Sequence, residues 1–406
     1  MPILSVAAPE RPVRATVRLP RSKSMANRAL VAAALAGDLA AVLEPGDADD
    51  TRLLHALLRE RPAVMPCGLG GTTLRFALAW AAVQEGEERL VTGDRALLER
   101  PHAPLVKALT ALGAEVNGLP NGFHVVGRRL RGGVVSFDSP VSSQYLSALM
   151  LVAPLMEEGL EIRWQGTQLS RPYVAMTAQV MRHFGATVEV GDAHIRVTPG
   201  GYVPKPFDVP LDWSAAAFWF QVVALARDAE VLLEGLADDG LQGDAAAVRL
   251  WQELVSTSIT PQGPLLRTRR SKDLPDAQAD LAATPDLFPP LALTHAGLGT
   301  AVTLTGLHNL HLKESNRLAA AEAVLQVLDR QAHRTGPGEL RIARSVKLRR
   351  PGAHVFDPLG DHRMAMALAP LALVAGPLRI EDPDVVRKSY PGFWDDLRAA
   401  GFRVEG

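Results

Sequence analysis

The stretch ALTALGAEV, residues 108–116, runs from a helix-forming segment through a glycine toward a strand-like end, and this pattern decides which fold the sequence predicts. A related stretch, VMRHFGATV, returns at residues 180–188, and LRAAGFRV closes the chain at residues 397–404. Gly113 and Gly185 are 72 residues apart. Glycine after a helical run usually ends the helix in a left-handed conformation, and β-branched alternation after it indicates a strand. The chain therefore repeats one helix-to-strand junction.

A second pattern has nearly the same period. Short polar or glycine-rich openings run into apolar stretches of helical length at six places, marked by Ser24, Thr72, Ser142, Ser214, Asp286 and His362. The steps between them are 48, 70, 72, 72 and 76 residues, and a period that long indicates a repeated supersecondary unit. Each unit is predicted as strand, helix, strand, helix, strand, strand, which gives an α/β or α+β fold. Because helix N-termini favour anions, six of them facing one cleft would suit a substrate with several negative charges.

Composition limits the possible classes of protein. A chain of 406 residues predicts two domains of about 200 residues each. The net charge of −1 argues against nucleic-acid binding. The longest apolar stretch, residues 364–375, is shorter than the roughly 20 residues that cross a bilayer, and residues 1–15 do not resemble a secretory signal. A single cysteine, Cys67, excludes an intrachain disulfide and favours a reducing cytoplasm.

Cations at a helix start predict an anion site in the first of these openings. Lys23 and Arg28 lie in the segment that begins the first predicted helix, and Ser22 and Ser24 flank Lys23. Cations there oppose the helix dipole, and a bound anion would remove the conflict. Two solvated surface charges would explain the same residues.

Lys313, Glu314 and Arg317 repeat this argument. On one helical turn, the two cations would repel each other mildly and Glu314 would share a face with Arg317. The combination predicts an acid/base group held among anion-binding groups. A solvated helix of ion pairs is the alternative, and this segment alone does not decide between them.

Other openings point the same way. The loop GLGGTTLR at residues 68–75 lets a ligand approach the backbone, although it lacks Walker-loop spacing and such turns also occur as structural devices. Residues 142–144, SSQ, place three polar side chains where capping needs one, and residues 361–363, DHR, begin another apolar helix. Neither metal-ligand spacing nor a nucleophile elbow occurs in the sequence. These features suit a site that binds phosphates and carboxylates and moves protons.

Taken together, the motifs resemble those of the 5-enolpyruvylshikimate-3-phosphate synthase family of enolpyruvyl transferases. They follow the family's order from about residue 19 to residue 393: Lys23-Ser24-x-x-Asn27-Arg28, Gly71-Thr72-x-x-Arg75, Glu99-Arg100-Pro101, Ser142-Ser143-Gln144, Ser170-Arg171-Pro172-Tyr173, Pro285-Asp286, Lys313-Glu314-Ser315-x-Arg317, Asp361-His362-Arg363-Met364-Ala365 and Lys388.

The resemblance implies a fold and a domain arrangement. The fold would be a two-domain inside-out α/β barrel with six βαβαββ repeats, helices inside and sheets outside. Residues 19–210 would form the N-terminal domain, on the shikimate 3-phosphate side, and residues 1–18 plus 211–406 the C-terminal domain. The active site would lie in the interdomain cleft.

The resemblance also implies a reaction. The enolpyruvyl group of phosphoenolpyruvate would pass to the 5-hydroxyl of shikimate 3-phosphate by addition and then elimination of phosphate. No metal or organic cofactor is expected. The enzyme is expected to be a cytoplasmic monomer with small-molecule substrates, binding neither nucleic acid nor membrane.

Three sets of residues carry the implied roles. Acid/base chemistry would fall to Asp286, Glu314, Lys23 and His362, with the division among the last three left open. Shikimate 3-phosphate would be held by Lys23, Ser24, Arg28, Ser142, Ser143, Gln144, Ser170, Asp286, Asn309 and Lys313. Phosphoenolpyruvate would be held by Lys23, Gly71, Arg100, Gln144, Arg317, Arg363 and Lys388.

The chain departs from the family pattern at several positions. Leu69 and Phe76 stand where the family usually has asparagine and often has proline, and Ala26 and Asn316 replace a commoner serine and aspartate. Asp212-Trp213 opens a helix where Gly-Asp-Ala-Ser is usual. These changes leave open the shape of the phosphoenolpyruvate pocket and the sensitivity to glyphosate, which occupies that pocket in the family. The implied charged groups are all present.

Two alternatives remain at this point. The sister enzyme that acts on UDP-N-acetylglucosamine typically carries a loop cysteine in the region that reads GDRALLER at residues 93–100, where this chain has none. A non-catalytic phosphometabolite-binding protein would bind both ligands without releasing phosphate.

Overall fold

The structure is a computed structural model that describes residues 2–138, 142–166, 170–269, 274–345 and 348–406. Contacts divide it into two compact units. The inserted unit is Arg21–Pro210, and the split unit comprises the chain up to Pro20 together with Leu211–Gly406.

The inserted unit contains most of the helices in the first half of the chain. Its helices are α1 Lys23–Leu35, α2 Asp49–Glu60, α3 Gly71–Ala82, α4 Arg95–Leu98, α5 Ala103–Ala111, α6 Ser143–Val152 and α7 Arg171–His183. In the split unit the helices are α8 Trp213–Leu225, α9 Ala247–Leu250, α10 Phe288–Leu298, α11 Arg317–Val327, α12 His362–Leu368, α13 Ala372–Ala375 and α14 Phe393–Ala399.

Short strands alternate with these helices. The split unit begins with β1 Ile3–Ala7 and β2 Val13–Val17. The inserted unit then has β3 Val42–Leu43, β4 Val64–Pro66, β5 Glu88–Thr92, β6 Glu115–Leu119, β7 Gly122–Val126, β8 Gly133–Phe137, β9 Leu160–Trp164, β10 Val188–Val190, β11 His194–Val197 and β12 Phe207–Asp208. The split unit resumes with β13 Ala229–Leu233, β14 Val255–Thr260, β15 Gly263–Thr268, β16 Ala277–Asp280, β17 Val302–Thr305, β18 Ala332–Gly336, β19 Glu339–Ile342, β20 Val355–Phe356, β21 Leu378–Glu381 and β22 Arg403–Glu405.

One sheet pattern recurs in both units. In the sheet β4-β5-β7-β6, the first two strands are parallel and joined through α3, and β7 then pairs antiparallel with both β5 and β6. The sheets β8-β9-β11-β10, β2-β13-β15-β14 and β16-β17-β19-β18 have the same order of parallel and antiparallel pairs. Parallel strands need a crossover, which the helices supply. The mixed α/β class predicted from the sequence is confirmed.

The sheet that contains the first strand is a permuted version of this pattern. β20 and β21 are parallel, and β1 pairs antiparallel with both β21 and β22. The N-terminal strand β1 thus occupies the position that the last strand in chain order, such as β7, occupies in each of the other four-stranded sheets. In the inserted unit, β3 and β12 also form a short parallel pair.

Several helices are buried on every face. All 13 residues of α8 and all seven of α12 are buried, and such helices must be apolar all round rather than amphipathic. α8 meets that requirement with alanine, valine, leucine and aromatic residues apart from Ser214 and Gln221, and α12 is apolar over residues 364–368, after the buried polar side chains of His362 and Arg363. No helix within the described ranges is long and apolar enough to cross a membrane.

The predicted helix boundaries agree with the structure, with two adjustments. Helices begin at Lys23, Gly71, Ser143, Trp213 and His362, within two residues of the sequence markers, and the predicted glycine stop at Gly113 has a φ of +103°. Asp286, however, lies in a 3₁₀ turn, Pro285–Leu287, ahead of α10. The prediction that residues 313–317 form one helical turn is wrong, because the Asn316 side chain caps α11 and the helix begins only at Arg317.

Candidate active site

Lys23 is the first residue of α1, and its partner is an acid on the next helix. The Lys23 Nζ donates to Asp50 Oδ2 at 3.0 Å, and both side chains are largely buried. Asp50 is the second residue of α2, where a carboxylate favours the positive end of the helix dipole. The sequence analysis missed Asp50. Its one local signal is the pair Asp49-Asp50 at a helix start, which ordinary capping also explains.

Arg28 lies one turn further along α1 and is 2% exposed. Its guanidinium donates to Thr177 Oγ1 at 2.7 Å, to the Ser24 carbonyl at 2.7 Å and to Ser147 Oγ at 3.1 Å. Burial lowers the pKa of Arg28 to about 10, so the group is still a cation at neutral pH. Its partners among the described residues are neutral oxygens and aromatic rings, which leaves the charge open to an anionic ligand.

The glycine-rich opening of α3 is packed against Arg100. A Cβ atom built on Gly71 would lie 2.6 Å from Arg100 Nη1 and 3.1 Å from Cζ, so glycine is what lets the guanidinium approach this backbone. Free N–H groups at the helix start and a guanidinium beside them form an arrangement that suits a phosphate or carboxylate. The predicted pairing of Gly71 and Arg100 in one site stays a prediction, but the two are neighbours.

Arg75 connects this opening to the serine-rich opening of α6. Its Nη1 donates to Gln144 Oε1, its Nη2 donates to the Pro101 carbonyl at 3.4 Å, and its Cζ is 5.1 Å from the centre of the Tyr145 ring. Arg75 stood in a motif of the sequence analysis but received no role there. The structure shows that Arg75 contacts Gln144, which the sequence analysis predicted to bind substrate.

The predicted serines all lie at helix starts. Ser142 is the N-cap of α6, where its Oγ accepts from the Gln144 backbone N–H at 3.3 Å, and Ser143 is the first helical residue. Ser170 is buried at the N-cap of α7, with a left-handed backbone at φ +57°. Ser24 is half-buried on the first turn of α1.

In the split unit, the Asp286 carboxylate forms ion pairs with three cations. Arg317 Nη1 lies 2.7 Å and Lys313 Nζ 3.3 Å from its Oδ1, and Arg363 Nη2 lies 2.9 Å from its Oδ2. Burial alone would raise the pKa of the Asp286 carboxyl, but Arg363, Lys313 and Arg317 outweigh it and hold the pKa well below its usual value. The Asp286 carboxylate is therefore ionised and weakly basic.

Arg317 links Asp286 to two further carboxylates. Its Nη2 contacts Glu314 Oε2 at 2.8 Å and its Nε contacts Asp361 Oδ2 at 2.7 Å, while the side chain is 1% exposed. Burial would lower the pKa of Arg317, but Asp361, Asp286 and Glu314 more than compensate and raise it. The sequence predicted that Glu314 shares a face with Arg317, but it gave no indication of the Asp361 contact.

Lys388 completes this group, and His362 lies beside it. Lys388 Nζ lies 3.6 Å from Glu314 Oε1. His362, the first residue of α12, is buried with its Nδ1 3.8 Å from Asp361 Oδ1. Asn309 is half-buried just ahead of the turn Leu310–Leu312 that leads to Lys313. We call Asp286, Lys313, Glu314, Arg317, Asp361, Arg363 and Lys388 the Asp286 cluster.

Asp244 is an acid that the sequence analysis did not consider. It accepts a hydrogen bond from Ser214 Oγ, at the start of α8. Burial and the nearby Asp286 raise the pKa of Asp244 to about 6, against the opposing effect of Arg363. Asp244 lies in the 3₁₀ turn Gly243–Ala246 ahead of α9, and nothing in the neighbouring sequence distinguishes it from a surface acid.

The described part of the chain contains no group of three or more His, Cys, Asp or Glu side chains that could hold a metal ion. The clusters consist instead of cations, carboxylates and helix N-termini. Such groups can bind dianions and transfer protons at neutral pH.

Comparison with known proteins agrees with this chemistry. The chain matches the family model of EPSP synthase (3-phosphoshikimate 1-carboxyvinyltransferase) over residues 7–61 and 58–397. It is 36% identical to the 3-phosphoshikimate 1-carboxyvinyltransferase of Bacteroides fragilis over 98% of both chains. The corresponding protein of Methanoculleus marisnigri is 34% identical, with 96% of this chain and 97% of the relative covered.

Solved structures show the same fold. An EPSP synthase from Acinetobacter baumannii superposes with a TM-score of 0.76 at 20% identity over the whole of both chains. The enolpyruvyl transferase NikO from Streptomyces tendae gives a TM-score of 0.75 at 14% identity, covering 99% of this chain and 98% of that one. The fold is thus the one that these enolpyruvyl transferases share. Within that class, the chain belongs to the EPSP synthase family.

Proposed function

We propose that this chain acts as a 3-phosphoshikimate 1-carboxyvinyltransferase. It transfers the enolpyruvyl group of phosphoenolpyruvate to the 5-hydroxyl of shikimate 3-phosphate and releases phosphate, in the shikimate pathway to aromatic amino acids. The observation that carries the residue assignment is the Asp286 carboxylate, which contacts three cations and is linked through Arg317 to a second carboxylate, Glu314. The family match favours this acceptor over a nucleotide sugar.

Phosphoenolpyruvate is held by cations and hydrogen-bond donors. The proposed cations are Lys23, Arg100, Arg317, Arg363 and Lys388, and the Gly71 backbone and Gln144 supply further donors. Paired guanidinium N–H groups bind carboxylate and phosphate oxygens with defined geometry. The contact of Arg100 with Gly71 supports a shared anion site there.

Shikimate 3-phosphate is held mainly by the inserted unit. Lys23, Arg28 and the serines at the starts of α6 and α7 provide cations and hydroxyl donors, with Ser24, Gln144, Asn309 and Lys313 adding to them. Arg28 supports this role because its described partners are neutral, so an acidic ligand would balance its charge.

Binding of the substrates makes Asp286 a stronger base. Without ligand, three cations hold its pKa well below the usual value. A substrate anion that draws charge from Arg317, Arg363 or Lys313 lets the Asp286 pKa rise, since a nearby opposite charge is what depresses it. Proton abstraction is thereby tied to the presence of substrate.

The chemistry then proceeds in two steps. The 5-hydroxyl oxygen attacks C2 of phosphoenolpyruvate as Asp286 takes its proton, and C3 gains a proton from Glu314 or Lys23. In the tetrahedral adduct, the group that gave the proton, Glu314 or Lys23, takes one back from C3 as the C2–O bond breaks, and phosphate leaves with that bonding pair to give the vinyl ether. His362, buried beside Asp361, stays the least defined member of the proton-transfer group.

Phosphate release tests the proposal. We expect release that requires both substrates and that falls about 10²–10⁴-fold in kcat for Asp286→Asn or Glu314→Gln, because each removes an acid/base group. Matched controls are Asp276→Asn and Glu322→Gln in the same unit, which should leave kcat unchanged. The exposed Asp276 carboxylate pairs with Arg344, and the half-buried Glu322 carboxylate pairs with Arg334.

Two results would overturn the proposal. Binding of both ligands without phosphate release would indicate a binding protein, and turnover with UDP-N-acetylglucosamine but not shikimate 3-phosphate would indicate the sister enzyme. Full activity of Glu314→Gln would remove only Glu314 from the mechanism.

The finer parts of the proposal concern cofactors, assembly and architecture. Catalysis needs no metal or organic cofactor, so a chelator should leave activity unchanged. The enzyme works as a cytoplasmic monomer that binds neither nucleic acid nor membrane, and light scattering should give the mass of one chain.

The repeated sheets and the all-round burial of α8 and α12 support an inside-out barrel of six repeats, with helices inside each unit. A crystal structure would test this architecture.

A further inference from the structure

The Arg28 guanidinium lies against two aromatic rings, those of Phe76 and Tyr173. Arg28 Cζ lies 5.6 Å from the centre of the Phe76 ring and 5.8 Å from that of Tyr173, over the face of each ring. Both distances are within the roughly 6 Å at which a ring face attracts a cation. Phe76 is on α3 and 1% exposed, so the attraction acts where water does not screen it.

The hydrogen bonds of Arg28 use only part of its donor capacity. A guanidinium has five N–H donors, and three of them engage Thr177, the Ser24 carbonyl and Ser147. One N–H on each terminal nitrogen is then available, which matches the two oxygens of a carboxylate. The plane of the guanidinium decides where these two N–H groups point.

A ring and an acid would hold Arg28 in different ways. A carboxylate beside the guanidinium would occupy its donors and cancel its charge, whereas a ring face attracts the cation without accepting a conventional hydrogen bond. Phe76 can therefore restrain the guanidinium and leave both the charge and the remaining N–H groups for a ligand. Among the described residues, Arg28 forms no ion pair with a carboxylate.

We propose that Phe76 is a positioning residue, which holds the Arg28 guanidinium over its ring face and so sets the affinity for the acidic acceptor substrate. This inference rests on the proposed role of Arg28 in binding shikimate 3-phosphate. Phe76 does not itself touch the substrate. Its effect reaches the acceptor through Arg28 and leaves phosphoenolpyruvate binding and the chemical step unaltered.

The first experiment replaces the ring. Phe76→Leu keeps a buried apolar side chain but removes the ring face. We expect the KM and calorimetric Kd for shikimate 3-phosphate to rise about 3- to 30-fold, with kcat and the KM for phosphoenolpyruvate within about twofold of the parent. The matched control is Phe184→Leu, a fully buried phenylalanine of the same unit that packs on His183 and Phe207; it should lower Tm without changing either KM.

The second experiment keeps the shape of the ring and weakens its electrostatics. Phenylalanine with one, two or three ring fluorines at position 76 should raise the Kd for shikimate 3-phosphate stepwise, because fluorine withdraws charge from the ring face. The same series at position 184 should have no effect on this Kd. A merely structural role for Phe76 would produce a change in Tm but no dependence on fluorine number.

The outcomes separate this inference from the proposed function. An unchanged acceptor Kd in Phe76→Leu and in the fluorinated series overturns the inference, as does an equal loss for both substrates. Absence of shikimate 3-phosphate binding by the parent chain overturns it too. If the parent binds shikimate 3-phosphate but releases no phosphate, the proposed activity fails, while the calorimetric series still decides the role of Phe76.

Discussion

Arg28 in the inserted unit and Arg317 in the split unit are buried to the same degree, at 2% and 1% exposure. Among the described residues, Arg28 contacts neutral oxygens and two aromatic rings, whereas Arg317 contacts the carboxylates of Asp286, Glu314 and Asp361. The pKa of Arg28 is lowered by burial, and the pKa of Arg317 is raised because its carboxylates outweigh burial.

This difference distinguishes two uses of a buried cation. A charge taken out of water is costly unless a partner compensates it. Arg317 is compensated by the protein itself and organises the acids of the Asp286 cluster. Arg28 is compensated only weakly, so a ligand anion can gain the full interaction with it. Under the proposed function, Arg317 stabilises the fold around the proposed acid/base groups, and Arg28 provides affinity for the acidic substrate.

Removing Arg317 should have the largest effect on stability. Arg317→Met leaves three carboxylates, of which Asp361 is fully buried and Asp286 and Glu314 are largely buried, without the cation they share. We expect the free energy of unfolding to fall by about 3–5 kcal/mol, as for other broken buried pairs. Urea unfolding followed by circular dichroism measures this change.

The control for Arg317→Met is Arg334→Met. Arg334 pairs with Glu322, its side chain is half exposed, and its loss should cost less than about 1 kcal/mol. A similarly small loss for Arg317→Met would contradict the view that Arg317 stabilises the cluster.

Asp244→Asn should have an intermediate effect, and one that depends on pH. The pKa of Asp244 is about 6 in the folded protein, raised from an ordinary 3.8 by burial and Asp286 and opposed by Arg363. Between these values the folded state holds a proton that the unfolded state has released, so this contribution favours folding at low pH and is lost as pH rises through 6. Above that pH, an ionised Asp244 destabilises the protein.

The amide avoids this cost. We expect Asp244→Asn to be more stable than the parent by roughly 1–3 kcal/mol at pH 8, with the difference shrinking below pH 5. Urea midpoints measured from pH 4.5 to pH 8 would show it. A constant difference across that range would mean that Asp244 does not titrate within it.

The features that the sequence predicted well are local. The helix starts at Lys23 and Gly71 and the glycine stop at Gly113 depend on residues a few positions apart. The contact between Glu314 and Arg317 was predicted from a spacing of three, and it forms even though the segment before Arg317 is not helical. Capping by Asn316 moved the helix start, because a side chain that satisfies an N-terminal N–H competes with continuing the helix.

The contacts that the sequence did not predict join distant segments. Asp50 is 27 residues from Lys23, and Asp361 is 44 residues from Arg317. Asp244 acquires its raised pKa from burial beside Asp286, which no local pattern encodes. Periodicity places these acids on elements, but the pairing depends on how the elements pack. The role of Asp286 was assigned through the family resemblance, which carries packing information that spacing lacks, whereas Glu314 was first predicted as an acid/base group from its neighbours Lys313 and Arg317.

The smallest expected effect on stability, and the sharpest test of the comparison, comes from Arg28→Met. The variant loses three hydrogen bonds to neutral oxygens, each worth about 1 kcal/mol. It also removes a buried charge whose cost is evident in the lowered pKa, and a methionine sulfur can pack on the Phe76 and Tyr173 rings. These effects oppose each other, so the free energy of unfolding should change by no more than about 1 kcal/mol.

The Kd for shikimate 3-phosphate should rise at least tenfold in the same protein, because the ligand loses its cation. Calorimetry and urea unfolding on one preparation measure both quantities. A loss of stability as large as that of Arg317→Met, or an unchanged Kd, would show that Arg28 is a structural cation after all.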